Sequence, residues 1–169
     1  IARADDTGLG NQSWEFHRHV QPDKTLIVDF TDNSASGKDL TIHPERFPGD
    51  TRVVVGPPDG RAMMEFLDDL DVVFAMETPY NFNLFYMCRD RVIKTVLHAN
   101  WEMMGYHDEK AYHPLPDVLA FPSTWHLTEA QHRFGDQTEV IRLPVPIVTD
   151  RNETSTPNTA CTRFVHVAG

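Results

Sequence analysis

Three carboxylates, Asp6, Glu77 and Glu102, stand at or just past the ends of apolar segments. A carboxylate so placed can orient a hydroxyl group or take its proton. The other reactive stretch is Gly8-Leu9-Gly10-Asn11. Two glycines spaced by one residue allow positive φ angles and a close approach of backbone to a ligand. Asn11 or Ser13 is then expected to cap a helix whose first-turn N–H groups point back at the loop. Such a loop can hold an anion or a polar hydroxyl.

Each of these residues also has a structural reading. Asp5 and Asp6 suit solvated loop acids at the positive end of a helix. Glu77 precedes Thr78-Pro79, where a carboxylate can cap the next helix, and Ser123 and Thr124 suit caps as well. His98 ends an apolar strand and reads as a hydrogen-bonded core histidine, and Cys88 as a small core residue. Neither His17 with His19 nor His107 with His113 has the i, i+4 spacing of a helical zinc motif, so no metal site is expected.

The elements that must position these groups follow from periodicity and turn residues. Short branched apolar runs at 24–30, 52–55, 71–77, 92–98, 117–121 and 139–143 read as strands. Helices are expected after the Gly loop, behind Gly60 (Met63, Phe66, Leu67, Leu70), after Tyr80 (Phe82, Phe85, Tyr86, Cys88), and from Trp125 to a stop at Gly135. Ile1-Ala2 looks like the end of a buried strand. Residues 33–50 read as a long loop with at most one short turn of helix, and 149–162, rich in Asn, Ser, Thr and Pro, as a linker. One more apolar strand is expected at 163–167.

This alternation predicts an α/β fold, a Rossmann-like doubly wound parallel sheet with helices on both faces. Ligands of such sheets lie beyond the carboxyl ends of the strands, where strand order reverses. That rim would carry the Gly loop, Glu77 to Tyr80, Asn100-Trp101-Glu102 and Ser123. Gly8, Leu9, Gly10, Asn11, Tyr80, Asn100, Trp101 and Ser123 are the candidate substrate contacts.

The 169 residues suffice for one domain with a real core. With 15 basic against 25 acidic residues the net charge is −10, which disfavours nucleic acid and anionic membrane surfaces as partners. No apolar run is long enough to span a bilayer, and Cys88 and Cys161 make no disulfide framework. A cytoplasmic location is the expectation.

The Gly loop, DVVFAMETPY, VLHANWE, DVLAFPSTWHLT, the LPVP stop and a linker leading to FVHVAG, taken in that order, resemble GT-B glycosyltransferases of the retaining, sugar-nucleotide-dependent bacterial and phage type. The resemblance spans nearly the whole chain. It implies that 1–148 is the N-terminal, acceptor-side domain, that 149–162 is a linker, and that 163–169 opens a C-terminal donor domain of the same chain. It further implies a nucleotide-sugar donor, an acceptor small molecule or glycan, no other cofactor, Gly8 and Gly10 near the donor phosphates, and Asn100-Trp101-Glu102 facing the interdomain cleft. Glu102, then Glu77 or Asp6, would orient or deprotonate the acceptor. Two other functions fit the same rim: a non-catalytic nucleotide- or sugar-binding module, and a sugar-nucleotide epimerase of GT-B architecture.

Overall fold

The structure, a computed structural model, describes residues 1–31, 40–104 and 114–146. The expected linker, the strand at 163–167, Cys161, His107 and His113 lie outside the described residues. The elements run α1 (Gly8–Val20), β1 (Lys24–Asp29), a 3-10 turn (Pro44–Arg46), β2 (Asp50–Val55), α2 (Gly60–Phe66), β3 (Val72–Glu77), α3 (Leu84–Asp90), β4 (Lys94–Ala99), a second 3-10 turn (Trp101–Met104), β5 (Val118–Phe121), α4 (Leu127–Phe134) and β6 (Glu139–Arg142).

All strand pairs are parallel: β1 with β2, and β3-β4-β5-β6 in that order. Ile1 and Ala2 join the two groups. The Ala2 N–H donates to the Leu26 carbonyl and the Val28 N–H to the Ala2 carbonyl, both at 2.9 Å. On the other side the Ile1 nitrogen donates to the Phe74 carbonyl and the Met76 N–H to the Ile1 carbonyl. The order is therefore β2-β1-(Ile1-Ala2)-β3-β4-β5-β6. From Ile1-Ala2 the chain steps outward to β1 and β2, then returns to β3 on the opposite side. Strand order reverses between Ile1-Ala2 and β3.

Alternation along each strand divides the core between two faces. Leu26, Val28, Val73, Ala75, Leu97, Leu119 and Phe121 pack with Met63 and Phe66 of α2, Leu84, Phe85 and Cys88 of α3, and Ala130 and Phe134 of α4. Ile27 and Ala2 turn the other way, toward Phe47 and Trp14. On that side Phe16 of α1 rests against Phe74 and His98, with ring centres 5.0 and 4.9 Å apart. Helices thus cover both faces, as periodicity predicted. Cys88 is a buried free thiol, pushed up to about 11 by its burial.

Several local expectations need correction. Thr7, not Asn11 or Ser13, caps α1: its hydroxyl accepts from the Gly10 N–H at 3.3 Å, and Ser13 is buried a full turn inside the helix. Gly8 and Gly10 belong to that first helical turn and have no positive φ. Helix α4 begins at Leu127, not Trp125, and its cap position is His126 at φ 58°. Ser123 instead closes the preceding turn, its hydroxyl accepting from the Trp125 N–H. Trp125 is left 79% exposed.

His98 is the expected core histidine. Its Nε2 donates to the Leu143 carbonyl at 2.8 Å, tying β4 to the end of β6, and burial holds its pKa below 6.5. The unfolded chain then gains a proton near pH 6.5 that folded His98 refuses. Its contribution is complete above that pH and is lost as pH falls toward the folded value. From about pH 6.5 downward, His98→Gln should flatten the pH slope of the unfolding free energy by up to about 1.4 kcal/mol per pH unit. Urea unfolding at several pH values measures this, and an unchanged slope would mean that His98 accepts its proton inside the fold.

Candidate functional site

The carboxyl ends of β1, β3 and β4 surround a cavity of about 250 Å³. Phe30, Pro57, Phe82, Leu97 and Met104 give it apolar walls, and Glu77, Thr78 and Tyr80 line it as well. It lies beside the reversal of strand order, where sheets of this kind place their ligands.

The segment after Ile1-Ala2 supplies one side of the neighbourhood. Residues three, five and seven alternate as in an extended chain, so Arg3, Asp5 and Thr7 can meet. The Arg3 guanidinium is bonded to Asp5 Oδ2 through Nε at 2.7 Å and through a terminal nitrogen at 2.5 Å. Asp5 Oδ1 accepts from the Thr7 N–H at 3.2 Å and from the Thr7 hydroxyl. Asp5 is buried and fixes the entry to α1; it is not the solvated loop acid that its sequence context suggested. Arg3 also lies over the Phe30 ring, 5.8 Å from its centre.

Glu77 and Tyr80 both have positive φ, 68° and 55°. For residues with a Cβ this costs on the order of 1–3 kcal/mol each. Such angles also occur elsewhere in the chain, as at Val92 in the α3–β4 turn, so they mark tight turns generally. Here the turn is pinned by the Thr78 hydroxyl, which accepts from the Tyr80 N–H at 3.1 Å. Its consequence is that Glu77 does not cap α3 and instead borders the cavity. Burial raises the Glu77 pKa; the Arg3 charge opposes the rise, and the charges of Glu102 and Asp5 add to it.

Tyr80 stacks on Phe30, with ring centres 6.1 Å apart and planes inclined by 26°. Its hydroxyl is enclosed with no hydrogen-bond partner among the described residues. Burial, reinforced by the nearby Glu77 charge, pushes the phenol pKa up, so it is a neutral hydroxyl at ordinary pH. A buried hydroxyl without a partner costs about 1–3 kcal/mol.

The other sequence candidates are spread along the rim. Glu102 is exposed on the 3-10 turn after β4, close enough to act electrostatically on Glu77. Trp101 stacks on His126 at 4.3 Å and lies under the Arg133 guanidinium, so its ring fastens that turn to α4. Asn100 is half-buried between β4 and the turn. Asp6 turns away from Glu77: its side chain is 55% exposed and meets His43 at 2.9 Å and Arg46 at 3.6 Å. Gly8 and Asn11 are exposed, Leu9 is half-buried, Gly10 is packed on Asp5, and Ser123 is exposed beyond β5. The structure therefore brings Glu77, Tyr80 and Glu102 into one neighbourhood with Arg3, Asp5 and Phe30, and leaves Asp6 and Ser123 outside it. Sequence reading passed over Arg3 and Phe30. Their signal was the alternation Arg3-x-Asp5-x-Thr7 and an aromatic ring directly after an apolar strand.

A second cavity, about 280 Å³, lies between the amino ends of β1 and β3 under α1, among Phe16, His17, Phe66, Val72 and Val73. It holds none of the predicted site residues. His17 there is committed to the Thr25 hydroxyl at 3.1 Å, and burial lowers its pKa. Among the described residues no group of three His, Cys, Asp or Glu side chains is placed to hold a metal ion. No helix among them is long and apolar enough to cross a membrane. No family model, curated protein or solved structure matches the chain.

Proposed function

We propose that this chain is the acceptor-side part of a sugar-nucleotide-dependent glycosyltransferase, with the cavity beside Glu77 receiving the acceptor. The observation that carries the reading is a half-buried carboxylate with a raised pKa at the reversal of strand order, bordering a cavity at the carboxyl ends of the strands. In the proposed reaction the acceptor oxygen attacks the anomeric carbon and the bond from that carbon to the diphosphate oxygen breaks. The acceptor proton passes to the Glu77 carboxylate, and the diphosphate leaves with the electron pair of the broken bond. A carboxylate with raised pKa is the better proton acceptor for this step. The first turn of α1, exposed at Gly8 and half-buried at Leu9, supplies N–H groups for the departing phosphate charge. A retaining outcome would lessen the need for a dedicated base.

A cytoplasmic enzyme is part of the same reading, and the buried free thiol of Cys88 suits a reducing compartment. The test is release of nucleoside diphosphate by the native full-length protein from a panel of nucleotide-sugars. Binding of a nucleotide-sugar with no release under any acceptor condition would favour the non-catalytic module, and a change of sugar configuration without transfer would favour the epimerase.

Glu102 enters this scheme through its charge on Glu77. With Glu102→Gln the Glu77 pKa should fall, moving the acid limb of the pH–rate profile to lower pH. The plateau turnover should change by less than about tenfold. A larger loss at the plateau with an unmoved acid limb would make Glu102, not Glu77, the base.

A further inference from the structure

The cavity of about 280 Å³ between the amino ends of β1 and β3 interrupts the sheet. Ile1 and Ala2 lie between these strands as a short central strand, bonded to Leu26 and Val28 on one side and to Phe74 and Met76 on the other. Those bonds set Ala2 opposite Ile27 and Ile1 opposite Ala75. Counting back from there, Thr25 and Lys24 of β1 and Phe74, Val73 and Val72 of β3 face the cavity across the line that the central strand would follow.

The backbone along this gap is built for pairing. In a strand the N–H and C=O of one residue point to the same side, so the Leu26 and Phe74 N–H groups point into the gap beside the carbonyls that Ala2 and Ile1 use. β2 and β4 lie on the far sides of β1 and β3. Among the described residues no strand reaches these two donors.

The walls suit apolar side chains on both faces. Ile1 belongs to the core under α2 and α3, and Ala2 to the cluster with Phe47. By alternation the residue next before Ile1 falls on the Ala2 face, lined by Phe16, Val20 and Phe47, and the one before it on the Ile1 face, lined by Phe66 and Leu70. Val20 and Val72, which line the cavity, are left 62% and 56% exposed by the described residues. The Ile1 nitrogen is enclosed, and burial pulls its pKa down to about 5. An amide in its place makes the same bond to Phe74 with no charge to desolvate.

We infer that this cavity is the seat of an extended apolar segment of about three residues that leads directly into Ile1 and completes the central strand, parallel to β1 and β3. The carbonyl of the residue next before Ile1 accepts from the Leu26 N–H, and that of the residue before it accepts from the Phe74 N–H. A separate peptide in this place would have to end against the enclosed Ile1 nitrogen, which makes the continuous segment the occupant. The segment also steadies the candidate site, because Ile1-Ala2 runs on into Arg3 and Asp5. Its seat is the same whether or not the protein transfers a sugar.

The experiment starts with sequencing the native protein from its amino terminus, which should show about three residues or more before Ile1, apolar at the two positions next to it. A native chain that starts at Ile1, or that carries charged residues, glycine or proline at both positions, would overturn the assignment. Amide exchange of the native full-length protein should then show Leu26 and Phe74 protected by at least about a hundredfold. A variant trimmed to start at Ile1 should lose that protection and melt at least about 10 °C lower. Should the trimmed variant not fold, substitution of the residue next before Ile1 by Asp in the full-length chain reads the same loss. Fast exchange at Leu26 and Phe74 in the native protein sinks the assignment, and so do protection and melting that neither change alters, because a separate strand then fills the cavity.

Discussion

Glu77→Gln should lower turnover by about 10²–10⁴-fold, the usual contribution of a positioned general base, while donor affinity stays within about twofold. The amide keeps the shape of the side chain and removes the proton acceptor. Stability should move the other way. The folded pKa of Glu77 is raised, chiefly by burial, so the folded chain holds its proton over a window where the unfolded chain has lost it. The contribution of this group to stability is complete below the ordinary carboxylate range and is lost as pH rises through the folded value. A neutral glutamine does not pay that penalty, so the variant should melt higher than the parent near neutral pH and alike at acid pH. Kinetics and melting curves on one preparation measure both effects. Loss of activity together with loss of stability would mark Glu77 as a structural residue of the β3 turn.

Gly10→Val should destabilise the fold by about 3 kcal/mol or more, whatever the ligand. A Cβ at this position would lie 1.9 Å from the Asp5 carbonyl oxygen and under 3.0 Å from two further Asp5 backbone atoms. Neither side can yield: Asp5 is tied to Arg3 and Thr7, and the segment before it lies between two strands. Gly8 is the contrast. No atom lies within 4 Å of a Cβ built there, and its φ is not positive. Gly8→Ala should leave stability unchanged or raise it by about 0.5–1 kcal/mol. Denaturant unfolding of the two variants separates them. A mild Gly10→Val would mean that α1 can lift from Asp5. Any effect of the Gly loop on ligand binding is therefore best read at Gly8, because a defect at Gly10 is confounded with unfolding.

The pair of glycines illustrates how far residue types carry. Their spacing marked a tight entry into a helix, which is correct, but it did not distinguish a glycine needed for φ from one needed for space. The space at Gly10 is taken by backbone from the preceding segment, and Thr7, an ordinary residue in sequence, is the cap. Trp101 teaches the same at larger range. Its place in a polar loop suggested a site role, yet its ring is engaged by His126 and Arg133 from α4, more than twenty positions on.

Local pattern alone determined the alternation of strands and helices, the parallel α/β class and the set of segments that end on one rim. Period-two and period-four burial, together with Gly and Pro stops, are properties of neighbouring residues. The burial of His98 and Cys88 belonged to the same information. Tertiary structure decided the rest. Ile1 is bonded to Phe74, 73 positions away, and that pairing sets the strand order and the point where it reverses. It also sorts the carboxylates: Asp5 is buried against Arg3, Glu77 is half-buried at the cavity, and Asp6 and Glu102 are left to solvent. Dielectric and nearby charge govern the proton affinity of each, and both depend on what the chain brings from afar.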